Sequence, residues 1–228
     1  MISNRLLAGL LRKDREQFVA RGERVELKFG EILCEPEHNI RHVYFPFESF
    51  LSLAAPVDSR ASLEVGLIGN EGMFGLPLVM GIAESAQRAV VRGPGGALRM
   101  PAATFRRELR KCEALRRGLN RYLYALMAQF AQTAACTRYH FLEARLARWL
   151  LMTRDRAHAD GFHLTHDFLA DMLGVRRVGV TKAAAALQRK RLISYRRGHI
   201  TIVDRAGLEV VSCGCYRSMK QTYDRFLR

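Results

Sequence analysis

The sequence predicts an α+β protein in which an N-terminal antiparallel β-roll is followed by a long helix and a C-terminal winged helix-turn-helix. Three observations support this order. Short apolar runs separated by Gly and Pro fill residues 23–100, which is typical of short antiparallel strands. From Pro101 onward, apolar residues recur every three or four positions, which predicts helix. Residues 165–192 then combine two short helical patterns, separated by a glycine, with a basic face.

Charge is distributed unevenly along the 228-residue chain, which carries a formal charge of +15. Residues 1–110 contain 15 Lys and Arg against 13 Asp and Glu, whereas residues 111–228 contain 22 against 9. A near-neutral half joined to a basic half is typical of a sensing or scaffolding module attached to a nucleic-acid reader. The sequence shows neither a signal-peptide pattern nor an apolar run of membrane-spanning length, so we expect a cytoplasmic protein with no membrane partner.

The first part of the chain is predicted to form short helices over residues 3–22 and then a series of strands. Residues 25–29 alternate between apolar and polar, and turns rich in Gly and Pro separate the runs that follow. Strands this short and this evenly spaced favour a small antiparallel sandwich or roll. The further predicted strands are 32–33, 43–45, 49–54, 62–68, 89–92 and 96–100.

A glycine-rich segment, residues 66–77, lies between two of these strands. Glycines can expose backbone amides to an anion, and Arg88 nearby would neutralise the charge of that anion. The same residues also fit a set of β-turns and a short helix, so the segment alone does not establish a ligand site.

Residues 111–156 are predicted to form a long helix with an apolar stripe. In a chain of this size the stripe exceeds what its own domains easily cover, so one interpretation is a parallel coiled-coil dimer. A core helix of a larger α-helical domain is the other interpretation. The residues predicted to form the dimer interface are Leu115, Leu119, Leu123, Leu126, Phe130 and Ala134.

The helix-turn-helix is predicted over residues 165–192. Thr165 is a favourable N-cap for the first helix, and Leu169 and Leu173 share one face of it. Gly174 suits a left-handed backbone where the chain reverses, and the apolar face resumes at Val180. A helix pair with this spacing is typical of a DNA-binding unit.

The second of these helices presents a basic face opposite Val180. Two short alternating runs follow it, 192–195 and 199–203, and predict a hairpin, or wing, with a basic turn. Such a helix can lie in the major groove while the wing contacts phosphates, although an ordinary solvated basic helix would look similar. The residues expected to contact DNA are Thr165, Arg176, Arg177, Val178, Thr181, Lys182, Arg189, Arg196 and Arg197.

The cysteines are odd in number and scattered, which fits free thiols in a reducing compartment rather than a disulfide framework. The Cys213-Gly214-Cys215 pair has no second pair and no histidine nearby in sequence, so we expect no metal site. A redox role for the thiols is left open. The five cysteines are Cys34, Cys112, Cys136, Cys213 and Cys215.

With a roll, a long helix and a basic winged helix in that order, the chain resembles the transcription regulators of the cyclic-AMP receptor and fumarate-nitrate regulator (Crp/Fnr) superfamily. The resemblance covers nearly the whole chain and is most specific at residues 143–151, 164–175 and 192–202. It implies a homodimer that binds a specific sequence of double-stranded DNA, with RNA polymerase as a further partner. The domains that it implies are a cyclic-nucleotide-binding-like jelly roll at 1–110, a dimerisation helix and hinge at 111–156, and a winged-helix DNA-binding domain at 157–228.

The recognition helix departs from the pattern of the family it resembles. Arg177 matches the family's guanine reader and Lys182 a second basic contact, whereas Val178 stands where the family has a glutamate. Arg177 can span O6 and N7 of guanine, while Val178 favours contact with a thymine methyl. We therefore expect a half-site that differs from the family's common one.

The implied effector pocket departs further, because Asn70 separates the glycine and the acid of the expected Gly-Glu pair. We do not expect cyclic AMP to be the effector. An iron–sulfur cluster is not expected either, since only Cys34 precedes residue 112. The residues that the resemblance assigns to the pocket are Gly69, Glu71, Gly72, Arg88 and Phe130.

Two other functions fit parts of the sequence. A cupin-like metal-dependent enzyme with an accessory basic domain would need several histidines on neighbouring strands, and the roll offers only His38 and His42. An RNA-binding protein would use the same positive charge, but the basic helix is poor in the aromatic residues that stack on unpaired bases. We therefore expect a regulator rather than an enzyme.

Overall fold

The N-terminal half of the protein is a β-roll preceded by two short helices, and the α+β class expected from the sequence is confirmed. The computed structural model describes residues 4–57 and 62–227, so the parts of the predicted segments 3–22, 1–110 and 157–228 that fall on residues 1–3, 58–61 and 228 lie outside the described residues. The elements of this half are α1 (Arg5–Ala8), α2 (Arg12–Val19), β1 (Glu23–Leu27), β2 (Ile32–Cys34), β3 (His42–Pro46), β4 (Phe50–Pro56), β5 (Ser62–Ile68), a short 3-10 helix (Leu76–Met80), β6 (Arg88–Gly93) and β7 (Gly95–Pro101).

The strands of the roll pair antiparallel in two sheets that share one core. β1, β7 and β3 form one sheet in that order, and β2, β6, β4 and β5 form the other. Leu98 of β7 and Val91 of β6 are both fully buried in this core, because alternate residues of each strand point inward. Phe18 of α2 and Phe105, which follows the roll, pack against the ring of Phe45 and close the core at one side.

The C-terminal half is mainly helical, and within the described chain none of its helices is long and apolar enough to cross a membrane. Two helices follow the wing, and a strand at 161–163 was not predicted because three residues are too few to show a pattern. The elements are α3 (Ala102–Lys111), α4 (Glu113–Tyr139), α5 (Leu142–Ala157), β8 (Gly161–His163), α6 (His166–Leu173), α7 (Arg177–Arg189), β9 (Ile193–Arg196), β10 (His199–Ile202), α8 (Arg205–Val211) and α9 (Cys215–Phe226).

The helix predicted over residues 111–156 is interrupted. α4 ends at Tyr139, where His140 adopts an extended conformation (φ −108°, ψ 142°), and α5 begins two residues later. Neither Pro nor Gly marks the break, so nothing in the sequence pattern indicated it. Leu146 and Leu150 of α5 pack in the core of the winged helix. The change of packing partner therefore falls at residues 140–141 and not near residue 156.

The leucine stripe of α4 faces the protein's own core. Leu115, Leu119 and Leu126 are 1%, 0% and 5% exposed and pack with the residues of the roll. The prediction that these three residues contact a second chain is wrong, because side chains buried within the chain have no surface left to offer a partner. The other members of the predicted interface are the half-buried Leu123 and Phe130 and the exposed Ala134.

Two buried polar contacts attach the C-terminal unit to the roll. Nε1 of Trp149 donates a hydrogen bond of 2.7 Å to Oε1 of Glu64. Arg156 forms an ion pair of 2.8 Å with Glu71, and both side chains are 8% exposed. Both carboxylates belong to the roll and both of their partners belong to α5. The helix that supports the C-terminal winged helix is therefore fixed to the roll at two points, two turns apart.

Candidate nucleic-acid interface

The turn between α6 and α7 has the geometry that the sequence predicts. Oγ1 of Thr165 caps α6 by accepting the N–H of Phe168 at 3.1 Å. Gly174 is left-handed (φ 62°, ψ 45°), and the N–H of Val175 returns to the carbonyl of Ala170 at 3.0 Å. A residue with a Cβ would be strained at Gly174, so the glycine allows the second helix to start immediately after the reversal.

α7 has a buried face and an exposed basic face. Val180 and Leu187 are fully buried against the rest of the winged helix. The helix contains no acidic residue, and Val178 is 59% exposed, which leaves an apolar side chain available to a ligand. All nine residues predicted to contact DNA are exposed: Thr165, Arg176, Arg177, Val178, Thr181, Lys182, Arg189, Arg196 and Arg197.

His166 joins the start of α7 to the wing. Its Nδ1 lies 3.0 Å from Oγ1 of Thr181, and its ring stacks on Tyr195 of β9 with centroids 4.3 Å apart. Burial, and then the charge of Arg177, lower the pKa of His166, so the ring is neutral at pH 7. These contacts place α7, the start of α6 and the wing on one continuous surface.

The tip of the wing is a two-residue turn formed by Arg197 and Gly198, with φ of 49° and 79°. Two successive residues with positive φ are typical of a type I′ turn, which matches the twist of the flanking strands. The N–H of Leu164 donates to the carbonyl of Gly198 at 2.7 Å, which holds the turn beside the segment that enters α6. The guanidinium of Arg197 is therefore displayed from a fixed backbone position next to Thr165.

Two of the predicted contacts differ from the others in their surroundings. Nε of Arg177 lies 3.3 Å from Oδ1 of Asp167, with both side chains more than two-thirds exposed. An exposed pair of this kind is worth about 0–1 kcal/mol, so Arg177 can exchange Asp167 for a base at little cost. Arg189 lies twelve residues further along α7, which is about 18 Å along the helix axis, and belongs to the far end of the surface.

The charged residues predicted for an effector pocket do not come together. Glu71 is 6% exposed and is paired with Arg156. Arg88 is exposed on β6 and forms an ion pair of 2.7 Å with Glu35. The prediction that Glu71 and Arg88 share a ligand site is therefore wrong. Each already has a partner within the protein, and these partners belong to different elements: Arg156 to α5 and Glu35 to the loop after β2.

The glycines of that segment serve packing instead. The amide of Gly69 donates to Oε2 of Glu71 at 3.1 Å, which closes a turn within the chain. A Cβ on Gly72 would lie 2.1 Å from the phenol of Tyr122, so this glycine lets α4 approach the roll. Neither glycine presents its amide to a pocket, and the prediction that they do so is wrong.

Phe130 lines an apolar cavity of about 290 Å³ between the roll and α4. Leu53, Ile68 and Met127 contribute to its walls, while Glu84, Ser85 and Gln87 supply its polar side chains. Among the described residues its lining contains neither Arg nor Lys, so an anion would find no positive charge on them. The cavity therefore suits an uncharged, largely apolar ligand better than a phosphate.

The sequence analysis missed a cluster of three cysteines and one histidine. Sγ of Cys136 lies 3.4 Å from Sγ of Cys213, and Sγ of Cys215 lies 3.5 Å from Nδ1 of His140. The expectation that no histidine lies near Cys213 and Cys215 is wrong for the folded protein. His140 reaches them because the fold brings the end of α4 to the start of α9. The one signal in the sequence is the four-residue spacing of Cys136 and His140, which would put both on one face of a continuous helix.

That cluster is the one group of three or more close potential metal ligands found over residues 4–57 and 62–227. His38 and His42 do not belong to it; Nδ1 of His38 lies 2.9 Å from the carbonyl of Pro36. The arrangement of histidines that a cupin-like enzyme would need is therefore not formed by the described part of the roll.

Comparisons with known proteins agree with this geometry. The model of the Crp-like helix-turn-helix domain matches residues 144–211. A solved structure from Eubacterium rectale, assigned to the Crp/Fnr family, is 17% identical with a TM-score of 0.70 and covers 90% of this chain and 96% of its own. FixK2 from Bradyrhizobium japonicum is 13% identical with a TM-score of 0.70, over 84% of this chain and 98% of its own.

A transcriptional regulator of the CRP/FNR family from Thermus thermophilus is 22% identical with a TM-score of 0.65, over 83% of this chain and 98% of its own. No curated protein sequence matches the chain. Solved structures with identities this low establish the fold of the chain and do not assign a ligand to it. Residues 144–211 thus match the Crp-like helix-turn-helix domain, and the chain shares the fold of the solved Crp/Fnr structures.

Proposed function

We propose that the protein is a homodimeric transcription regulator that binds a specific sequence of double-stranded DNA through α7 and the wing. The observation that carries the proposal is the continuous exposed surface that runs from Arg177 through Thr181 and His166 to the wing turn. A helix that lies in the major groove contacts base edges with its N-terminal residues, and here those residues are basic, apolar and hydroxylic. The positive charge of the C-terminal half supplies attraction to phosphates.

The first turns of α7 define what the surface would recognise. Arg177 is placed to span O6 and N7 of a guanine once it leaves Asp167. Val178, exposed beside it, would contact a thymine methyl, and Lys182 one turn later would contact a phosphate or a second base. Arg197 on the wing would contact the phosphate backbone.

Two copies are proposed to meet along the outer face of α4. Tyr124 and Met127 are 56% and 60% exposed, which is unusual for large apolar residues on consecutive turns of a buried helix. Exposed residues on this face alternate in steps of four and three, the spacing of a coiled-coil seam, and alanines at its centre allow close approach. The residues of this outer face are Asn120, Tyr124, Met127, Ala131, Ala134 and Arg138.

The cavity beside Phe130 is the proposed effector site, and its effector is proposed to be apolar rather than cyclic AMP. A cyclic nucleotide would place its phosphate in a cavity that lacks Arg and Lys among its lining residues, while Arg88 is held by Glu35. Contact with RNA polymerase would be a further requirement for activation of transcription, and the family resemblance alone suggests it.

Selection of bound duplexes from a random library, followed by affinity measurements on variants, tests the DNA-binding proposal. Arg177→Ala should weaken specific binding by about 1–3 kcal/mol and relax discrimination at one base pair. Arg110→Ala, which removes the same charge from exposed α3, is the matched control and should leave base preference unchanged. If Arg177→Ala kept the base preference of the unaltered protein, recognition would belong to another element. Stronger binding to single-stranded RNA than to duplex DNA would support an RNA-binding protein instead.

A further inference from the structure

We propose that Cys136, His140, Cys213 and Cys215 form a binding site for a single zinc ion at the junction of α4 and α9. The four candidate ligand atoms, three sulfurs and one imidazole nitrogen, lie within 4.8 Å of one another. Three thiolates and one histidine are a set that zinc takes in structural sites. The site lies outside the DNA-binding surface and outside the apolar cavity.

The spacing of these atoms fits one tetrahedral ion. Bond lengths of about 2.3 Å to sulfur and about 2.0–2.1 Å to nitrogen give tetrahedral edges of about 3.8 Å between sulfurs and about 3.6 Å between sulfur and nitrogen. The observed separations are 3.4 Å for Cys136 and Cys213 and 3.5 Å for Cys215 and His140. The other pairs lie no more than 4.8 Å apart, so an ion would draw the four atoms together by at most about 1 Å.

Burial and charge around the sulfurs also point to a ligand. Cys136, Cys213 and Cys215 are 0%, 8% and 2% exposed, so three thiols share a pocket closed to water except at His140. Thiolates buried in this way need compensating charge, which a divalent ion supplies directly. A zinc ion with three thiolates retains one net negative charge.

Arg148 supplies the charge that would balance this remainder. Its side chain is 5% exposed, its Nη1 donates only to the sulfurs of Met152 and Met219 at 3.6 Å, and its Nε has no hydrogen-bond partner within the described chain. The guanidinium is close enough to act electrostatically on Cys136 and Cys213. A buried cation whose acceptors are thioethers is costly alone, and an anionic zinc–thiolate centre would offset that cost.

A neighbouring amide orients one of the proposed ligands. Nε2 of Gln132 donates to Sγ of Cys215 at 3.0 Å, one turn before Cys136 on α4. Hydrogen bonds of this type hold metal-bound thiolates in position and are worth about 10–100-fold in metal affinity.

A bound ion would clamp α4 to α9 at the point where α4 ends. α9 runs back along α4, where Gln129 donates to the hydroxyl of Tyr223 at 2.9 Å and Tyr124 contacts Phe226 with ring centroids 4.8 Å apart. The cluster closes this pair of helices next to the break at His140. Any effect of zinc on DNA affinity rests on the proposed function, whereas zinc binding itself does not.

The metal content of the full-length protein, purified under reducing conditions, tests the proposal. We expect one zinc ion per chain, and we expect cobalt in its place to show a sulfur-to-cobalt charge-transfer band. Cys215→Ser should abolish the band. His140→Ala, at an exposed position that leaves folding intact, should lower zinc affinity by more than about 100-fold, since even outer-shell partners are worth about 10–100-fold.

Cys112→Ser and His38→Ala are matched controls outside the cluster and should bind zinc as the unaltered protein does. Absence of stoichiometric zinc after loading, or a cobalt band that persists in both cluster variants, would overturn the proposal. An iron–sulfur absorption spectrum, or a Cys136–Cys213 disulfide in place of metal, would overturn it as well. Duplex binding measured on zinc-free protein reports separately on the proposed function.

Discussion

Nε1 of Trp149 donates a hydrogen bond of 2.7 Å to Oε1 of Glu64, and both side chains are buried where α5 meets the roll. Burial raises the pKa of Glu64 from 4.5 to about 7, against the opposing effect of hydrogen bonds from Ser52 and Trp149. The folded protein therefore holds a proton that the unfolded chain releases above pH 4.5. The stability that this carboxyl contributes is full below pH 4.5 and is lost as the pH rises to about 7.

Glu64→Gln should remove this pH dependence, because glutamine keeps the acceptor oxygen for Trp149 and cannot ionise. We compare the two proteins by subtracting the free energy of unfolding of the unaltered protein from that of Glu64→Gln. This difference should be larger at about pH 8 than at about pH 5 by on the order of 2–3 kcal/mol. Urea denaturation at the two pH values measures this difference. Glu26→Gln, on the exposed side of β1, is the control. If the free energy of unfolding of Glu64→Gln changed with pH in parallel with that of the unaltered protein, the raised pKa of Glu64 would be contradicted.

Removal of Arg156 should destabilise the protein strongly, because Glu71 would remain buried without its partner. Arg156→Met is expected to cost about 3–5 kcal/mol in chemical denaturation, and adding Glu71→Gln should recover part of this loss. Arg12→Met, which breaks an exposed pair with Glu16, should cost no more than about 1 kcal/mol. A double variant no more stable than Arg156→Met would show that packing of the arginine, rather than the uncompensated charge, dominates.

Arg197→Asn should separate DNA affinity from folding. Asparagine tolerates the left-handed conformation that Arg197 adopts, so the wing turn is preserved and the free energy of unfolding should not fall. If Arg197 contacts a phosphate, the slope of log affinity against log salt should decrease in magnitude by about 0.9. Titration of a duplex at several salt concentrations measures the slope, and Arg197→Lys should retain it. An unchanged slope in Arg197→Asn would exclude the phosphate contact.

Ala131→Glu should disrupt the proposed dimer, because it places a charge at the centre of the outer face of α4 without disturbing the protein's own core. Sedimentation velocity should then show monomers at concentrations where the unaltered protein is dimeric. Ala103→Glu introduces the same charge on exposed α3 and should leave the dimer intact. Dimers that persist in Ala131→Glu would move the interface to another surface.

The helix-turn-helix could be predicted from sequence because its signals are local. The structure shows each of them: Thr165 caps α6, Gly174 is left-handed, and Leu169 and Leu173 are buried on one face. Each of these features depends on residues within about one helical turn. The face of α4 that contacts the roll could not be separated from the face left exposed, because both repeat with the period of the helix. Leucines at 115, 119 and 126 fill the core, while smaller or mixed residues at 131, 134 and 138 stay outside.

The cysteine cluster was missed for a different physical reason. Cys136 and Cys213 lie 77 residues apart in sequence, and only the antiparallel packing of α9 on α4 brings them together. The effector-pocket prediction failed because ion pairs are set by tertiary contacts: Glu71 meets Arg156 from α5, and Arg88 meets Glu35 from the loop after β2. Motif spacing contains no information on these partners.

β5 connects the cavity to α5, and α5 connects it to α7. Ile68 of β5 lines the cavity, Glu64 of the same strand is bonded to Trp149, and Glu71 just beyond it is paired with Arg156. α5 in turn packs on α7. A molecule that pushes β5 outward would shift both attachments of α5 together and tilt α7, while α4 would stay in place. The orientation of the exposed face of α7 would then depend on the size of the molecule that fills the cavity and not on its charge.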